Sequence, residues 1–341
     1  MRMRKPINVP ARPTMAQIAE LAGVSKITVS RALRGSGVVR ADLRERIQSI
    51  ANEAGYRMNV AARSLKTRRT QTIAVVIERV DEGDRPVSDP LVQMVIGGLL
   101  EVLTAANYAM LLTTGDQFLA FNTIDTDGVI MLGQGEGGRR LLEVAHRGLP
   151  IIAWGVPTAV GGIVTIGSDN REGGRLAANH LVEGGRRRLL FLGDQRHPEV
   201  AARLEGVREV LAAAEAALVA IVPCGFSRMA GRTALGQALT DGPAFDGVIA
   251  VSDYIAAGAC DALIERGIAV SGQVAVIGFD DIPVAANHRP PISSIRQDWA
   301  AAGHALANAV LALLADPTSD PSIAPLPVEL IVRQSTQPVG G

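Results

Sequence analysis

Residues 14–34 read TMAQIAELAGVSKITVSRALR, two short amphipathic segments around a tight turn, and no other stretch restricts the fold so sharply. In the first segment Ile18, Leu21 and Ala22 recur at helical spacing, and Gly23 stands where a helix ends and the backbone passes through positive φ. Ser25 is placed to cap the second segment by accepting a backbone N–H, while Val29 and Leu33, four apart, form its buried stripe. Lys26, Ile27, Ser30 and Arg31 are left outside. An exposed Ile near a helix start gains nothing against water but fits a thymine methyl, and Arg31 can grip guanine O6 and N7 through both guanidinium branches. Thr28 and Ser30 suit phosphate oxygens, and Thr14 and Ser25, at the two helix starts, are grouped with them. The segment predicts a DNA-reading helix pair; the plain alternative is a hairpin whose polar surface does nothing.

Charge separates the same region from the rest. Residues 1–70 carry 15 Lys and Arg against 4 Asp and Glu, and the remaining 271 residues carry 19 against 30. A basic head on an acidic body matches a nucleic-acid-binding arm on a domain that phosphate does not attract. With 341 residues, 48% of them hydrophobic, the chain can bury more than one core.

A third helix is expected over 41–54, where Leu43, Ile47, Ile50 and Ala51 line one face and Gly55 ends it. Arg40 occupies its cap position, a poor choice that Asp42 in the first turn partly offsets through the helix dipole. Residues 56–71, YRMNVAARSLKTRRTQ, are too basic and too short in apolar pattern to hold a helix unaided, and read as a hinge that orders on DNA. From Thr72 the pattern changes. TIAVVIE, YAMLLTT, DGVIML, LPIIAW, RLLFLG, ALVAIV, DGVIAV and QVAVIGF read as buried strands, alternating with helices near 91–106, 138–147, 171–184, 199–215, 228–240, 254–266 and 299–315. Such alternation predicts parallel sheets covered on both faces, and the strand count favours two α/β lobes with a cleft between them. Ligands in such sheets sit beyond the carboxyl ends of strands.

These residues resemble the LacI/GalR family of transcriptional regulators from about Thr14 to Thr336. AGVSKITVSRAL is similar to its helix-turn-helix, AARSLK to its hinge helix, and DNREGGRLAANHL, RLEGV, SDYIAAGA, VIGFDD and PPISSIRQD to its regulatory core. The Lys26-Ile27 pair resembles the recognition helix of gluconate-type repressors. The resemblance implies an α/β protein with an all-α helix-turn-helix headpiece and a two-lobed, periplasmic-binding-protein-like core of parallel lobes. Its implied boundaries are 1–58 for the headpiece, 59–71 for the hinge and 72–336 for the core. The N-lobe would span about 72–167 and 299–318, the C-lobe about 168–298 and 319–336. A homodimer would place two recognition helices in successive major grooves of a pseudo-palindromic operator and paired hinge helices in the minor groove. Leu65 would wedge between central base pairs, with Asn59, Arg63 and Lys66 on sugar and phosphate. In the cleft, Arg203, Phe226, Ser252, Asp280 and Gln297 would hold a small effector, a sugar or sugar acid. Asp169, Asn170 and Glu172 open a helix and serve equally as caps or as ligand contacts. One departure stands out: GDQFLAFNTIDT, between YAMLLTT and DGVIML, is about ten residues short of a helical crossover, so this connection is compressed.

Other readings fall away. GQGEGG at 133–138 has dinucleotide-loop spacing, but no Asp or Glu occurs between Glu143 and Asp169, so it reads as a flexible loop. His180 reads as part of a helix face and His146, His197, His288 and His304 as exposed, with no zinc spacing and no G-x-S-x-G elbow beside them. No enzyme, cofactor or metal is expected. Cys224 and Cys260 read as free thiols in a reducing compartment. The basic N-terminus has no apolar run behind it, and no segment reaches the roughly 18–20 apolar residues of a membrane span, so a cytoplasmic protein is expected. The remaining competitor is a periplasmic-type sugar-binding protein without a transcriptional role, which the basic head and the lack of an export signal disfavour.

Overall fold

The first helix, α1 (Met15–Ala22), starts where the Thr14 hydroxyl accepts a hydrogen bond from the Gln17 N–H while Gln17 Oε1 accepts one from the Thr14 N–H. That reciprocal capping box satisfies two donors which a helix start otherwise leaves unpaired. This and all that follows comes from a computed structural model, which describes residues 13–33, 37–56, 69–78, 86–120, 125–134, 138–156 and 163–337. The chain forms two compact units, Met1–Thr70 and Gln71–Gly341.

In the first unit Gly23 closes α1 at φ 66°, and α2 (Lys26–Leu33) and α3 (Ala41–Glu53) complete a three-helix core around Ile18, Val29 and Ile47. Val29 and Ala32 supply the fully buried stripe of α2, with Leu33 only half-buried. Leu21 departs from its expected face and is 62% exposed, because Ile18, Ala19 and Ala22 already fill the side of α1 that meets the other helices. Arg40 sits at the start of α3 without a side-chain hydrogen bond to the helix, as its chemistry requires. The hinge residues Asn59, Arg63, Leu65 and Lys66 lie outside the described residues.

The second unit contains two sheets. The first has order β2-β1-β3-β4-β5, all parallel, with β1 Thr72–Ile77, β2 Ala109–Thr114, β3 Gly128–Leu132, β4 Ile151–Trp154 and β5 Val164–Ile166. Ile73, Val75 and Ile77 face the side covered by α4 (Pro90–Ala105) and the late helix α12 (Trp299–Ala315); Ala74 and Val76 face the other, as the period of two demands. The compressed connection is resolved into α5 (Gly115–Ala120), followed by residues outside the description at 121–124. Six residues cannot hold a helix alone. Burial of Phe118, worth roughly 1.5–3 kcal/mol, pins it beside α6 (Arg139–Ala145), and Arg147 lies 4.6 Å over the same ring.

The second sheet has order β11-β10-β9-β8-β6-β7, parallel except for the antiparallel edge strand β11. Its strands are β6 Arg188–Leu192, β7 Ala217–Val222, β8 Gly247–Ala250, β9 Ala275–Asp280, β10 Ser293–Gln297 and β11 Val328–Ile331. Helix α7 (Asn170–Glu183) precedes β6, and α8 (Pro198–Ala213), α9 (Arg228–Asp241), α10 (Asp253–Glu265) and the short α11 (Pro283–Asn287) lie between the strands in the chain. Three strands escaped the sequence reading: β5 has three residues, β10 reads SSIRQ, and β11 lies beyond α12. Two expected buried strands, β2 and β7, are instead sheet edges and partly exposed; Leu111 and Leu112 are 37% and 42% accessible. Among the histidines, His197 and His288 are buried rather than exposed, and His304 is half-buried against Glu101 at 2.8 Å. Both cysteines are free, and burial pushes the Cys224 thiol up to about 12. Among the described residues no helix is long and apolar enough to cross a membrane.

His180 on α7 is half-buried, its Nε2 2.7 Å from Thr336 Oγ1, and burial pulls its pKa below the ordinary value near 6.5. Unfolding releases a ring that takes up a proton more readily, so its contribution is complete above about pH 6.5 and is lost as pH falls through the lower folded value. Urea midpoints compared at about pH 7.5 and 5.5 should drop further in the natural protein than in His180→Gln; equal drops would remove His180 from the pH response.

Candidate functional site

Two sites emerge, one in each unit. In the first, Ser25 Oγ accepts from the Thr28 N–H at 3.1 Å and lies 2.9 Å from Thr28 Oγ1, so both hydroxyls stabilise the start of α2. Beyond this cap Lys26, Ile27 and Arg31 are exposed, Ile27 at 65%, and Thr14 is exposed at the start of α1. Thr28 and Ser30 are half-buried on the flanks. A cation, a bare aliphatic and a guanidinium thus share a helix whose opposite face is packed, the side-chain set that reads base edges in a major groove.

The second site is a cavity of about 140 Å³ within the larger unit. Its wall is built from carboxyl ends of strands in both sheets and from the helix starts that follow them: Ile77 and Glu78 at the end of β1, Leu132–Gln134 at the end of β3, Trp154 and Gly155 at the end of β4, Gln297 ending β10. Leu91, Val92 and Val95 of α4 and Trp299 at the start of α12 add an apolar side. His197 through Val200 and Arg203 of α8, with Asn170 of α7 and Phe226, close it.

Arg203 is 5% exposed. Its Nε donates to Asn170 Oδ1 at 2.8 Å, its Nη1 to the Val251 carbonyl at 2.6 Å, and its guanidinium carbon stands 3.6 Å from the centre of the Phe279 ring. The approach is possible because α7 and α8 cross at glycines: a methyl group at Gly174 would collide with the Arg203 carbonyl, and one at Gly206 with the Arg171 carbonyl. Gln297, also 5% exposed, donates through Nε2 to Asp280 Oδ1 at 2.7 Å. His197 meets Phe226 edge-on, ring centres 5.0 Å apart at 84°.

Of the five effector positions implied by resemblance, Arg203, Phe226 and Gln297 line the cavity. Ser252 and Asp280 stand behind it. Ser252 is fully buried and caps α10 by accepting from the Ile255 N–H at 3.3 Å; Asp280 is 2% exposed, supporting Gln297 from the end of β9. Next to Ser252, the Asp253 carboxylate accepts from Ser294 Oγ at 2.6 Å and the Ile282 N–H at 2.7 Å, and burial followed by the neighbouring Asp280 pushes its pKa well up. Asp169 is the cap of α7, accepting from the Glu172 N–H at 2.9 Å, whereas Asn170 reaches the cavity.

Sequence reading missed Glu78, Gln134, Trp154 and Trp299. Each follows or ends a strand on the carboxyl side, the one signal that would have found them. GQGEGG, read as a flexible loop, begins with Gly133 and Gln134 in the wall; Gln134 is 3% exposed, and 135–137 lie outside the described residues. Glu78 pairs with Arg140 at 3.3 Å, and Arg140 also binds Asp116 of α5 at 2.7 Å, tying the shortened connection to the cavity. Burial raises the Glu78 pKa, and Arg140 opposes the rise.

An outward helix in a small helical unit, joined in one chain to a cavity at the strand ends of two parallel sheets, defines the class of DNA-binding regulators that respond to small molecules. Residues 14–59 match the bacterial regulatory proteins of the lacI family, and residues 178–336 match the periplasmic binding protein-like domain. The chain is 32% identical over 340 residues to the HTH-type transcriptional regulator CelR of Thermobifida fusca, covering 95% of this chain and 98% of that protein. It is 32% identical over 331 residues to the HTH-type transcriptional regulator GntR of Pseudomonas aeruginosa, covering 95% and 96%. The solved complex of the transcriptional regulator CelR with cellobiose is similar at a TM-score of 0.73 and 29% identity, over 95% of this chain and all of that one. The lac repressor dimer bound to operator and the anti-inducer ONPF shares the fold at a TM-score of 0.84 and 23% identity, over 96% and 99%. The chain belongs to the lacI family of bacterial transcriptional regulators.

Arg203→Lys retains the charge but cannot hold Asn170 and Val251 together. It should destabilise the larger unit by about 1–3 kcal/mol in urea unfolding; no change in midpoint would show that the guanidinium contacts do not hold α7 and α8 in place.

Proposed function

We propose that the chain is a repressor that grips a pseudo-palindromic operator as a homodimer and is controlled by a small sugar or sugar acid bound in the cavity of its larger unit. The observation that carries this reading is the outward face of α2, where Lys26, Ile27 and Arg31 stand exposed beyond the Ser25 cap. Arg31 reads a base, Ile27 meets a thymine methyl, and Thr14, Ser25, Thr28 and Ser30 contribute phosphate contacts. The headpiece of this reading ends near residue 58, the hinge near 71, and the core comprises lobes of about 72–167 with 299–318 and 168–298 with 319–336. Asn59, Arg63, Leu65 and Lys66 belong to the hinge, entering the minor groove. A gene regulator works where the chromosome is, so the same reading places it in the cytoplasm.

The sugar reading is supported by the relative solved with cellobiose and by the cavity's mixture of amide, guanidinium and aromatic groups. Arg203, Phe226 and Gln297 act on the ligand directly, Asp280 through Gln297, and Ser252 by fixing the start of α10. Control requires the ligand to favour one arrangement of the core over the other, since equal affinity shifts nothing.

Arg31→Ala should cost about 1–3 kcal/mol in operator affinity and relax preference at one base position, measured by anisotropy on a selected palindrome. Lys66→Ala should weaken binding evenly and reduce the salt slope by about one. Equal losses on all sequences for Arg31→Ala would contradict base reading, and failure of the intact chain to retain any DNA at low salt would favour a ligand-binding protein without a role in transcription.

A further inference from the structure

The backbone leaves the end of β9 through two consecutive residues of positive φ, Asp280 at 102° and Asp281 at 55°. Neither is glycine; 55° lies in the left-handed well that Asp tolerates, and 102° lies beyond it. Such a conformation persists only where its surroundings hold it. Both side chains are tied down: Asp281 pairs with Arg296 at 2.8 Å and with Arg333 at 2.7 Å, and Asp280 Oδ1 accepts from Gln297 Nε2 at 2.7 Å. Gln297 ends β10 and lines the cavity, so the course of this turn fixes a part of the wall.

The backbone of the turn is held from another element. Asp253, the first residue of α10, accepts through Oδ2 from the Ile282 N–H at 2.7 Å and through Oδ1 from Ser294 Oγ at 2.6 Å. Ser294 Oγ accepts in turn from the Asp281 N–H at 3.1 Å. Two successive amides of the turn are thus anchored on a single carboxyl, one directly and one through a hydroxyl. Gly278 leaves the room for this, because a side chain there would run into Asp253 Oδ1. An acid in the first turn of a helix ordinarily answers to the helix dipole while it stays in water. Asp253 is fully buried and spends both oxygens elsewhere, so the dipole does not account for it. Burial, and after it the neighbouring Asp280, disfavours its charge, which makes a neutral amide of the same shape a close substitute.

We propose that Asp253 is a positioning residue for the effector response: directly and through Ser294 it clamps the Asp280–Asp281 turn, and the clamped turn holds Gln297 in the cavity wall. The inference rests on the cavity being the effector site and adds a residue, outside the lining, on which that site depends. A residue that only filled space at this position could be replaced by leucine as well as by asparagine. A clamp cannot, since leucine leaves the Ile282 N–H and the Ser294 hydroxyl without their acceptor.

The test is a double-mutant cycle between Asp253 and Gln297 in the full-length protein. Both tryptophans of the chain, Trp154 and Trp299, lie in the larger unit, so their fluorescence follows its unfolding in urea. Asp253→Leu should lower the unfolding constant by at least about fivefold less in the Gln297→Leu background than in the natural one. Asp253→Asn should stay within about threefold of the natural protein. If Asp253→Leu does not fold, Ser294→Ala takes its place in the cycle, because it breaks the same anchor of the Asp281 N–H. Additive effects, or asparagine as damaging as leucine, would overturn the proposal. A second arm follows operator anisotropy with glucose, ribose, cellobiose and gluconate, each up to roughly 10 mM. For any compound that shifts operator binding of the natural protein, Asp253→Leu should raise the midpoint at least about tenfold, with Asp253→Asn restoring most of it. An unchanged midpoint overturns the proposal and preserves the effector reading. A coupled cycle with no compound acting on the natural protein supports the clamp and counts against the effector reading.

Discussion

The close crossing of α7 and α8 is the contact on which the cavity depends. Gly174 and Gly206 remove the side chains that would separate the two backbones, and the resulting approach carries Arg203 under the start of α7, where Asn170 accepts its Nε proton. A guanidinium this deeply buried is costly unless its N–H groups and its face are both occupied. The Val251 carbonyl and the Phe279 ring complete that occupation, so one side chain joins two helices to the ends of β8 and β9. A wall held in this way is organised before any ligand arrives, and preorganisation is what lets a few polar groups discriminate between similar molecules.

The opposite wall is organised by a different device. The short connection after β2 leaves room for only the six-residue α5, and Arg140 ties it back to Glu78 at the rim of the cavity. Gly115 has no side chain to obstruct this, because any Cβ there would run into the Glu78 carboxylate. The shortened crossover is therefore part of the wall's construction: the carboxylate of Glu78 lines the cavity while its charge is answered from behind. The exposed edge strand β2, with Leu111 and Leu112 accessible, lies next to this region and keeps its apolar surface uncovered within the chain.

Much of the architecture was legible because it rests on local rules. The capping box at Thr14 was not anticipated, but the turn at Gly23, the Ser25 cap and the burial of Ile18 and Val29 all follow from spacing and cap chemistry within a few residues. Misreadings occurred where a neighbour in space decides the outcome. Leu21 satisfies the helical period yet faces outward, because α1 needs only one side to meet α2 and α3. YAMLLTT has the composition of a buried strand and lies at an edge, since strand order is not encoded in any one strand. β5, β10 and β11 are short or polar segments whose pairing partners create them.

The cavity divides along the same line. Sequence alone determined the helix-pair surface of the first unit and the α/β alternation of the second, since each is carried by a pattern contiguous in the chain; Arg203, Phe226 and Gln297 were pointed to by the family resemblance, and the structure brings them to the cavity wall. Tertiary structure alone decided that Ser252 caps α10 and Asp280 holds Gln297 instead of lining the cavity, and that Glu78, Gln134, Trp154 and Trp299 meet on its surface. Those four come from separate strand ends and a helix start, up to some two hundred residues apart in the sequence, and only the parallel pairing of β1, β3 and β4 with the packing of α12 against them brings their side chains to one space. Local periodicity records which face of an element is apolar; it holds no record of which distant element that face will meet.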